Sequence, residues 1–298
     1  MYDVLVVGGS YAGIAAALQL ARARRTVAVI DAGSRRNRFA SAAHGFLSRD
    51  GHTPDLIARQ SRRQLLAYPS VDWIDGTVSR CTGALDAFEA TTTRGEVLKG
   101  RRLILATGVA DQLPDVPGLS QLWGRRVFHC PYCHGYELDR GAIGVLASSD
   151  MAFHHAVVVS EWGPTTLFTN GMFQPDAEQQ DVLRERGIAV EPARLTRVAD
   201  KGAGIAVELE NGSSTELAGL FVQARTSPAC PIAEQLGCNI EESPMGTHVG
   251  TNGTQETSVP GVFAAGDTAR AAGNLTFAVS DGAMAGTGAH RSLIFPPA

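Results

Sequence analysis

The chain has 298 residues, of which 44% are hydrophobic and 33 are glycine, and it carries a formal net charge of −4. This length is sufficient for two domains, and the glycine-rich, aromatic-poor composition favours an α/β protein over an all-β one. The small negative charge gives no attraction to nucleic acid or to anionic membranes, so we expect no nucleic-acid or membrane partner.

The compartment is predicted from what the sequence lacks. No stretch approaches the roughly 18 apolar residues of a membrane span. The N-terminus enters a strand directly, without the pattern of a signal peptide, so we expect a cytoplasmic protein. Five cysteines are then too few for a disulfide framework, whereas a close pair indicates redox or metal chemistry.

The first predicted elements form a strand, a tight turn and a helix. Asp3 to Val7 is a continuous apolar run, Gly8 to Gly13 reads GGSYAG, and the following strand ends at Asp31. This is the dinucleotide fingerprint in its proper context, with Ser10 in place of the middle glycine. The N–H groups at the helix start are expected to bind a pyrophosphate, and Asp31 a ribose.

Two later segments decide which dinucleotide is bound. Arg102 to Gly108 is a buried strand that ends in Ala-Thr-Gly, and Val259 to Asp267 is another apolar strand that ends in Gly-Asp. Together with the fingerprint they resemble the two-dinucleotide-binding flavoproteins. The resemblance implies an α/β fold in which a doubly wound FAD-binding domain, 1–112 and 238–298, contains an inserted smaller α/β domain, 113–237.

The resemblance also implies a set of FAD contacts. Asp267 is expected to hold the ribityl and phosphate region, and the helix after it to direct its positive end at the isoalloxazine. His44 is expected beside the isoalloxazine, where related reductases carry Asn; the other interpretation is a plain surface histidine. The complete set is Gly8, Gly9, Ser10, Tyr11, Ala12, Gly13, Asp31, His44, Val78, Ala106, Thr107, Gly108, Gly266, Asp267 and Thr276.

The segment 128–136 contains the sequence CPYCH. Two thiols at this spacing can exchange two electrons as a disulfide/dithiol pair. Low-molecular-weight thioredoxin reductases carry their dithiol at the same place, which implies that Cys133 faces the flavin and Cys130 meets the substrate. His134 replaces the acid of those reductases. A neutral imidazole that titrates near pH 6.5 can accept a thiol proton at physiological pH.

A second departure concerns the nicotinamide site of the inserted domain. Its first strand, Ala142 to Leu146, is followed by ASSDMA, which lacks the glycines of a fingerprint and adds the negative charge of Asp150. Its second strand, Thr165 to Thr169, leads into Asn-Gly-Met without an arginine. The sequence therefore predicts that no residue recognises a 2′-phosphate.

These features are similar to the FAD-dependent dithiol oxidases that close disulfides in microbial natural products of the gliotoxin and holomycin type. The resemblance implies a small-molecule dithiol substrate, O₂ as acceptor with H₂O₂ as product, and a homodimer. Substrate thiolate would attack Cys130, and His134 would deprotonate the second thiol before Cys133 passes electrons to FAD.

Several alternatives stay open at this stage. The chain could be a reductase of a thioredoxin-like protein, fed by ferredoxin, another flavoprotein or NADPH, or it could be a non-enzymatic FAD-bound redox sensor. CxxCH also matches c-type haem attachment, which requires export. A zinc site from Cys130, Cys133, His129 and His134 would lack the usual distant second pair, so we expect no metal.

The remaining motifs are assigned structural roles. Cys81, Cys230 and Cys238 are expected to be packing cysteines, and His154-His155 to lie on a helix without chemical function. Ile205 to Leu209 and Thr215 to Val222 read as strands around an Asn211-Gly212 hairpin. Asn274 is expected to open the final helix.

Overall fold

The structure, a computed structural model, describes residues Met1–Phe295. Its strands are β1 (Tyr2–Val7), β2 (Val27–Asp31), β3 (Val71–Asp75), β4 (Val78–Thr82), β5 (Phe88–Thr92), β6 (Val97–Leu105), β7 (Val109–Gln112), β8 (Val127–Phe128), β9 (Ile143–Leu146), β10 (Thr165–Phe168), β11 (Ala189–Glu191), β12 (Leu195–Asp200), β13 (Ile205–Leu209), β14 (Ser214–Leu217), β15 (Gly219–Val222), β16 (Arg225–Pro228), β17 (Ile240–Ser243), β18 (Gly246–Val249) and β19 (Val262–Ala264).

Among the described residues, the α-helices are fewer than the strands. They are α1 (Tyr11–Arg22), α2 (Pro54–Leu65), α3 (Pro131–His134), α4 (Ala152–Val159), α5 (Ala177–Glu185), α6 (Ile232–Gln235) and α7 (Leu275–Ile294). Short 3-10 helices cover Ser120–Leu122, Tyr136–Leu138 and Gly266–Ala269.

The chain folds as two compact units. The first contains Met1–Arg38, Pro54–Asp111 and the described residues from Thr226 onward, and the second contains Phe39–Thr53 and Gln112–Arg225. The expected α/β fold class, a Rossmann-type FAD domain with an inserted unit, is confirmed.

The observed division differs from the predicted one at two places. The chain returns to the first unit at Thr226 rather than at residue 238, because Ile232 and Ala233 are buried in a core cluster of that unit. The segment Phe39–Thr53 belongs to the second unit, where His44 pairs with Glu137. Side-chain contacts of this kind cannot be read from chain order.

The first unit is built on a seven-stranded sheet. Its strand order is β3-β2-β1-β6-β5-β4, with β19 also paired to β6. The pairs among β3, β2, β1, β6 and β19 are parallel, so their carboxyl ends share one edge. A further sheet has the order β17-β18-β16-β7. Helix α7 packs closely on α1, because a Cβ at Gly282 or Gly286 would overlap the backbone of Ala12 or Ala16.

The second unit contains a parallel sheet and an antiparallel one. The parallel sheet has the order β11-β10-β9-β15-β8, and the antiparallel sheet has the order β12-β13-β14. The predicted hairpin is confirmed, with Gly212 at φ +82° between β13 and β14. The single predicted strand over Thr215–Val222 is wrong. The chain leaves one sheet for the other at Ala218, whose N–H donates to Ala142 O.

Candidate active site

The turn after β1 is shaped by two glycines. Gly8 has φ +103°, and a Cβ there would overlap Ala106 O. A Cβ at Gly13 would overlap Gly8 O, so α1 could not approach β1 as closely as it does. Ser10 is the N-cap of α1, but its side chain forms no capping hydrogen bond. The first-turn N–H groups of α1 therefore remain suitable for binding an anion.

Gly9 has a different reason to lack a side chain. The Trp73 ring occupies the place of its Cβ, and the Gly9 N–H donates to Asp31 Oδ1 over 3.1 Å. Asp31 Oδ2 remains available to a ribose hydroxyl. The dinucleotide role assigned to Asp31 and to the turn residues Tyr11 and Ala12 stays a prediction that this geometry fits.

The other two predicted FAD segments meet the same sheet edge. Thr107 Oγ1 and Thr268 Oγ1 form a hydrogen bond of 3.2 Å, which joins the Ala-Thr-Gly turn to the Gly-Asp segment. Gly266 has φ +75°, and its Cβ would lie 2.9 Å from the Cβ of Ala12. Glycine at 266 thus brings Asp267 next to the start of α1.

Two further members of the predicted set are Val78 and Thr276. Val78 belongs to the buried core with Leu5 and Ala28, so its assignment to FAD stays a prediction. Thr276 is the second residue of α7, which begins as expected at Asn274, whose Oδ1 accepts from Phe277 N over 2.8 Å.

The sequence did not single out Arg36. Its Nε donates to Asp111 Oδ2 over 3.1 Å, its Nη2 to Asp111 Oδ1, and its Nη1 to Asp267 Oδ2 over 2.9 Å. One guanidinium thus connects two carboxylates from distant parts of the chain. No spacing rule would have found this triad.

The dithiol lies in the second unit. Cys130 and Cys133 form a disulfide with their Cα atoms 5.3 Å apart. Cys130 is the N-cap of α3, and Pro131 occupies its first position, where a missing N–H costs nothing. Both cysteines are half-buried, and Tyr132 between them is 76% exposed with its ring edge-on to Trp162. Substrates can therefore approach the disulfide from solvent.

His134 ends α3 and is held by an aromatic ring. It stacks on Phe128 with 4.3 Å between ring centroids and 21° between planes. Burial, and secondarily the charge of His44, lowers the pKa of His134 to about 4. The expectation of a pKa near 6.5 is wrong for this disulfide state, because the ring is desolvated. His134 is neutral at physiological pH and therefore able to accept a proton.

His44 is paired with acids of the same unit. Its Nε2 lies 3.3 Å from Glu137 Oε1, and its Nδ1 lies 3.6 Å from Asp50 Oδ1. Asp50 Oδ1 also accepts from Gly45 N over 2.7 Å. The interpretation of His44 as a plain surface histidine is not favoured by these contacts. Its predicted place beside the isoalloxazine stays a prediction.

Comparison with known sequences identifies the protein family of this chain. The profile of a family described as pyridine nucleotide-disulphide oxidoreductase matches residues 2–284. The chain belongs to this family. It is 34% identical over 310 residues to thioredoxin reductase aclD of Aspergillus oryzae (strain ATCC 42149 / RIB 40), with 99% of this chain and 97% of that protein covered. Thioredoxin reductase sirT of Leptosphaeria maculans is 34% identical over 308 residues, covering 97% and 93%.

Solved structures agree with this assignment. An oxidoreductase from Agrobacterium tumefaciens superposes with a TM-score of 0.96 at 49% identity and covers 99% of both chains. HlmI superposes with a TM-score of 0.91 at 33% identity and covers 99% of this chain and 93% of its own. The protein is a thioredoxin reductase-like disulfide oxidoreductase with a flavin cofactor, as its sequence resemblance implies. The glycine turn and the free α1 N-terminus described above fit such a group.

The nicotinamide-type turn of this family is altered here. Ser148 Oγ donates to Gln223 O over 2.6 Å, and Ala147 and Ala152 are fully buried. Side chains of this turn between β9 and α4 therefore take part in the packing of the unit, whereas Asp150 is exposed. The tertiary structure does bring an arginine to the end of β10: Arg194 Nε lies 3.3 Å from where a Cβ of Gly171 would stand. The sequence statement that none stands here holds for chain order only.

His155 lies on α4 as expected and contacts the dithiol segment, a contact that the sequence did not indicate; its lack of chemical function stays a prediction. It hydrogen-bonds the backbone of His129, the residue before Cys130, and its ring lies edge-on to Phe221. Burial, and secondarily the charge of His154, lowers the pKa of His155 to about 4. Tertiary contact, rather than any motif, shows this role.

The three other cysteines carry free thiols. Cys81 and Cys238 are buried and Cys230 is half-buried, all against one core of the first unit. Burial, with a smaller effect of Cys230, raises the pKa of Cys81 to about 12, so this thiol is unreactive. Within residues 1–295, no group of three His, Cys, Asp or Glu side chains could hold a metal ion. None of the helices there combines the length and apolarity that crossing a bilayer requires.

Proposed function

We propose that this protein is an FAD-dependent dithiol oxidase that forms a disulfide in a small-molecule dithiol of natural product biosynthesis. The observation that carries the proposal is the turn after β9. It carries side chains where a dinucleotide fingerprint carries glycines, and Ser148 donates to Gln223 O, whereas the turn after β1 keeps its glycines. Electrons would then enter from the dithiol.

The cysteines carry the first exchange. A substrate thiolate attacks Cys130 Sγ, the Cys130–Cys133 bond breaks, and its electron pair leaves on Cys133. The second substrate thiol loses its proton to His134 and attacks the sulfur of the mixed disulfide, so that Cys130 leaves as thiolate. The substrate is oxidised by two electrons, and the protein disulfide is reduced by two.

His134 gains basicity during this exchange. In the disulfide state burial keeps its pKa at about 4. A thiolate on the adjacent Cys133 favours the imidazolium, because an opposite charge within a few ångströms stabilises the protonated form. His134 is therefore a weak base before substrate attack and a stronger one when the second thiol must be deprotonated.

The reaction closes through the flavin. When bound, FAD would supply a two-electron acceptor, and O₂ would be the terminal oxidant, reduced to H₂O₂. Asp31, Asp267 and the first turn of α1 would bind its ribose, ribityl and pyrophosphate groups. Overall, one dithiol and one O₂ give one disulfide and one H₂O₂. The family resemblance further supports a cytoplasmic homodimer.

Anaerobic stopped-flow mixing with dithiothreitol tests this function. The wild-type flavin absorbance should bleach and return on admission of O₂, with one H₂O₂ per dithiol consumed. Cys130→Ser should abolish bleaching, whereas Cys230→Ser, which changes a free half-buried thiol, should leave it intact. A wild-type flavin that dithiothreitol does not reduce would rule out the oxidase.

A reductase is the second candidate. Two relatives that match nearly the whole chain are named thioredoxin reductases, and Arg194 lies near the end of β10, where a 2′-phosphate would be recognised. NADPH, ferredoxin or another flavoprotein would then supply electrons to a thioredoxin-like protein. Rapid bleaching by NADPH without thiol would favour this reductase over the oxidase.

A further inference from the structure

The carboxyl edge of the first unit's parallel sheet gathers acids. Asp31 ends β2 and Asp267 follows β19, whose carboxyl ends share this edge, and Asp111 lies in β7 of another sheet of the unit. Arg36 bonds both Asp111 and Asp267, so these two carboxylates meet at one guanidinium. The carboxyl ends of parallel strands are where this fold binds dinucleotides. A pyrophosphate carries about two further negative charges, so an uncompensated edge would repel the group it is expected to bind.

Arg36 is the cation within this acidic edge. Its side chain and that of Asp267 are each 22% exposed, and that of Asp111 is 10% exposed. Burial by itself would lower the pKa of Arg36, but its hydrogen bonds to Asp111 and the charge of Asp267 raise it instead. The guanidinium is therefore a permanent charge at this position.

The segment that carries Arg36 is tied to the start of α1. Asn37 Nδ2 donates to Tyr11 Oη over 3.2 Å, and Tyr11 is the first residue of α1. Asp267, which accepts from Arg36, follows Gly266, which packs on Ala12 of the same first turn. Both contacts connect the neighbours of the guanidinium to the first turn of α1, whose N–H groups are expected to bind the pyrophosphate.

Arg36 also has N–H groups that its two carboxylate partners do not use. A guanidinium has five N–H groups, and three of them are used on Asp111 and Asp267. Two remain, and guanidinium N–H groups are preferred donors to phosphate oxygens.

We propose that Arg36 is a cofactor-binding residue whose charge, held in place by Asp111 and Asp267, offsets the acidic edge and receives the FAD pyrophosphate. This inference rests on FAD being the cofactor of the proposed oxidase. It predicts that removing Arg36 and removing the charge of Asp111 change FAD affinity in opposite directions. Loss of Arg36 leaves the edge more negative, whereas loss of the Asp111 charge makes it less negative.

Flavin affinity of the apoprotein provides the test. The dissociation constants of FAD and of riboflavin, which lacks phosphates, are measured by flavin fluorescence for the wild type, Arg36→Gln, Arg36→Lys, Asp111→Asn and the Arg36→Gln/Asp111→Asn double variant. Melting temperatures of the apoproteins verify that each variant folds. The double variant keeps the net charge of the wild type and forms a mutant cycle.

We expect Arg36→Gln to weaken FAD at least about tenfold, which corresponds to about 1.4 kcal/mol, and riboflavin less than threefold. Asp111→Asn should leave FAD affinity unchanged or tighter, and the double variant should recover part of the loss. Arg36→Lys should fall between wild type and Arg36→Gln, because an ammonium keeps the charge without the fork.

Three results would overturn the role of Arg36: unchanged FAD affinity in Arg36→Gln, equal weakening of riboflavin, or weakening in Asp111→Asn as large as in Arg36→Gln. The last would indicate a purely structural clamp. Wild-type apoprotein that does not bind FAD at all would instead refute the proposed function, so the two failures are distinguishable.

Discussion

The two strand–turn–helix segments of this protein begin alike and end differently. The turn from Gly8 to Gly13 follows β1, and the turn from Ala147 to Ala152 follows β9. Neither α1 nor α4 has a side-chain cap. In the first turn, missing Cβ atoms let backbone groups approach each other. In the second, Ser148 bonds Gln223 O and alanine side chains are buried.

The difference shows what a dinucleotide turn requires beyond its topology. A parallel strand leading into a helix is present in both units. In the second, the N–H groups of Ala152 and Phe153 donate to the carbonyls of Ser149 and Asp150. Ala147 and Ala152 are buried in the core of the second unit, whereas Asp150 is exposed. The presence or absence of Cβ atoms, rather than the path of the chain, therefore decides whether such a turn can bind a dinucleotide.

The largest effect is expected from Gly13→Ala. A Cβ at this position would overlap Gly8 O, so α1 must move away from β1. We expect loss of bound flavin and a melting temperature lowered by several degrees, measured by flavin absorbance and calorimetry. Gly253→Ala is the matched control, because no atom lies within 4 Å of its Cβ position. Retained flavin in Gly13→Ala would contradict this account of the turn.

The helices after the two turns should differ in pH sensitivity. Of α1 and α4, only α4 contains histidines, and the pKa of its His155 is lowered to about 4. Below pH 6.5, His155 becomes protonated in the unfolded chain but stays largely neutral in the folded protein. The free energy of unfolding therefore falls as the pH drops from 6.5 towards 4. This residue alone should reduce the free energy of unfolding by about 2 kcal/mol between pH 7 and pH 5.

Urea unfolding at pH 7 and pH 5 measures this effect. His155→Phe should lose about 2 kcal/mol less than wild type over the interval. His154→Gln, the exposed neighbour on the same helix, should behave as wild type. An equal pH response of wild type and His155→Phe would show that burial does not suppress the charge of His155.

Opening the second turn should restore some nucleotide affinity. Ser148→Gly/Asp150→Gly removes the hydrogen bond to Gln223 and one negative charge. We expect NADPH to bind about tenfold more tightly than to wild type, by titration of protein fluorescence. Asp181→Gly is a control for loss of an exposed acid elsewhere in the unit. No gain over wild type would mean that more than these two side chains closes the turn.

The smallest expected effect is the difference in stability between substitutions of Ser148 and of Ser10. Ser148→Ala should lower the free energy of unfolding by about 1 kcal/mol, because Gln223 O loses a donor in a packed turn. Ser10→Ala should change it by less than about 0.5 kcal/mol, because Ser10 forms no capping hydrogen bond. Equal losses, measured by urea unfolding, would remove the contrast between the turns.

Much of the fold was predictable because buried strands and glycine turns are local signals. The strands β1, β9, β10 and β13 were placed within a residue or two by continuous apolar runs. The split of Thr215–Val222 into β14 and β15 was not, because both pieces are apolar and only their partners differ. The unit boundary at Thr226 likewise depends on where Ile232 packs.

The candidate site divides in the same way. Adjacent residues identified the CxxCH segment and the glycine fingerprint. Arg36, Arg194 and His155 were missed, because each acts on atoms far along the chain. The pKa of His134 was also misjudged, since desolvation depends on what surrounds the ring.

The sequence by itself determined the disulfide-forming pair, the flavin-type fingerprint and the loss of glycine from the second turn, since each is a matter of which residue types stand next to each other. Only the tertiary structure decided which charges meet. Arg36 is 75 residues from Asp111 and 231 from Asp267 along the chain, yet the fold brings all three side chains within hydrogen-bond distance. Electrostatic energy depends on distance in space, and folding sets that distance.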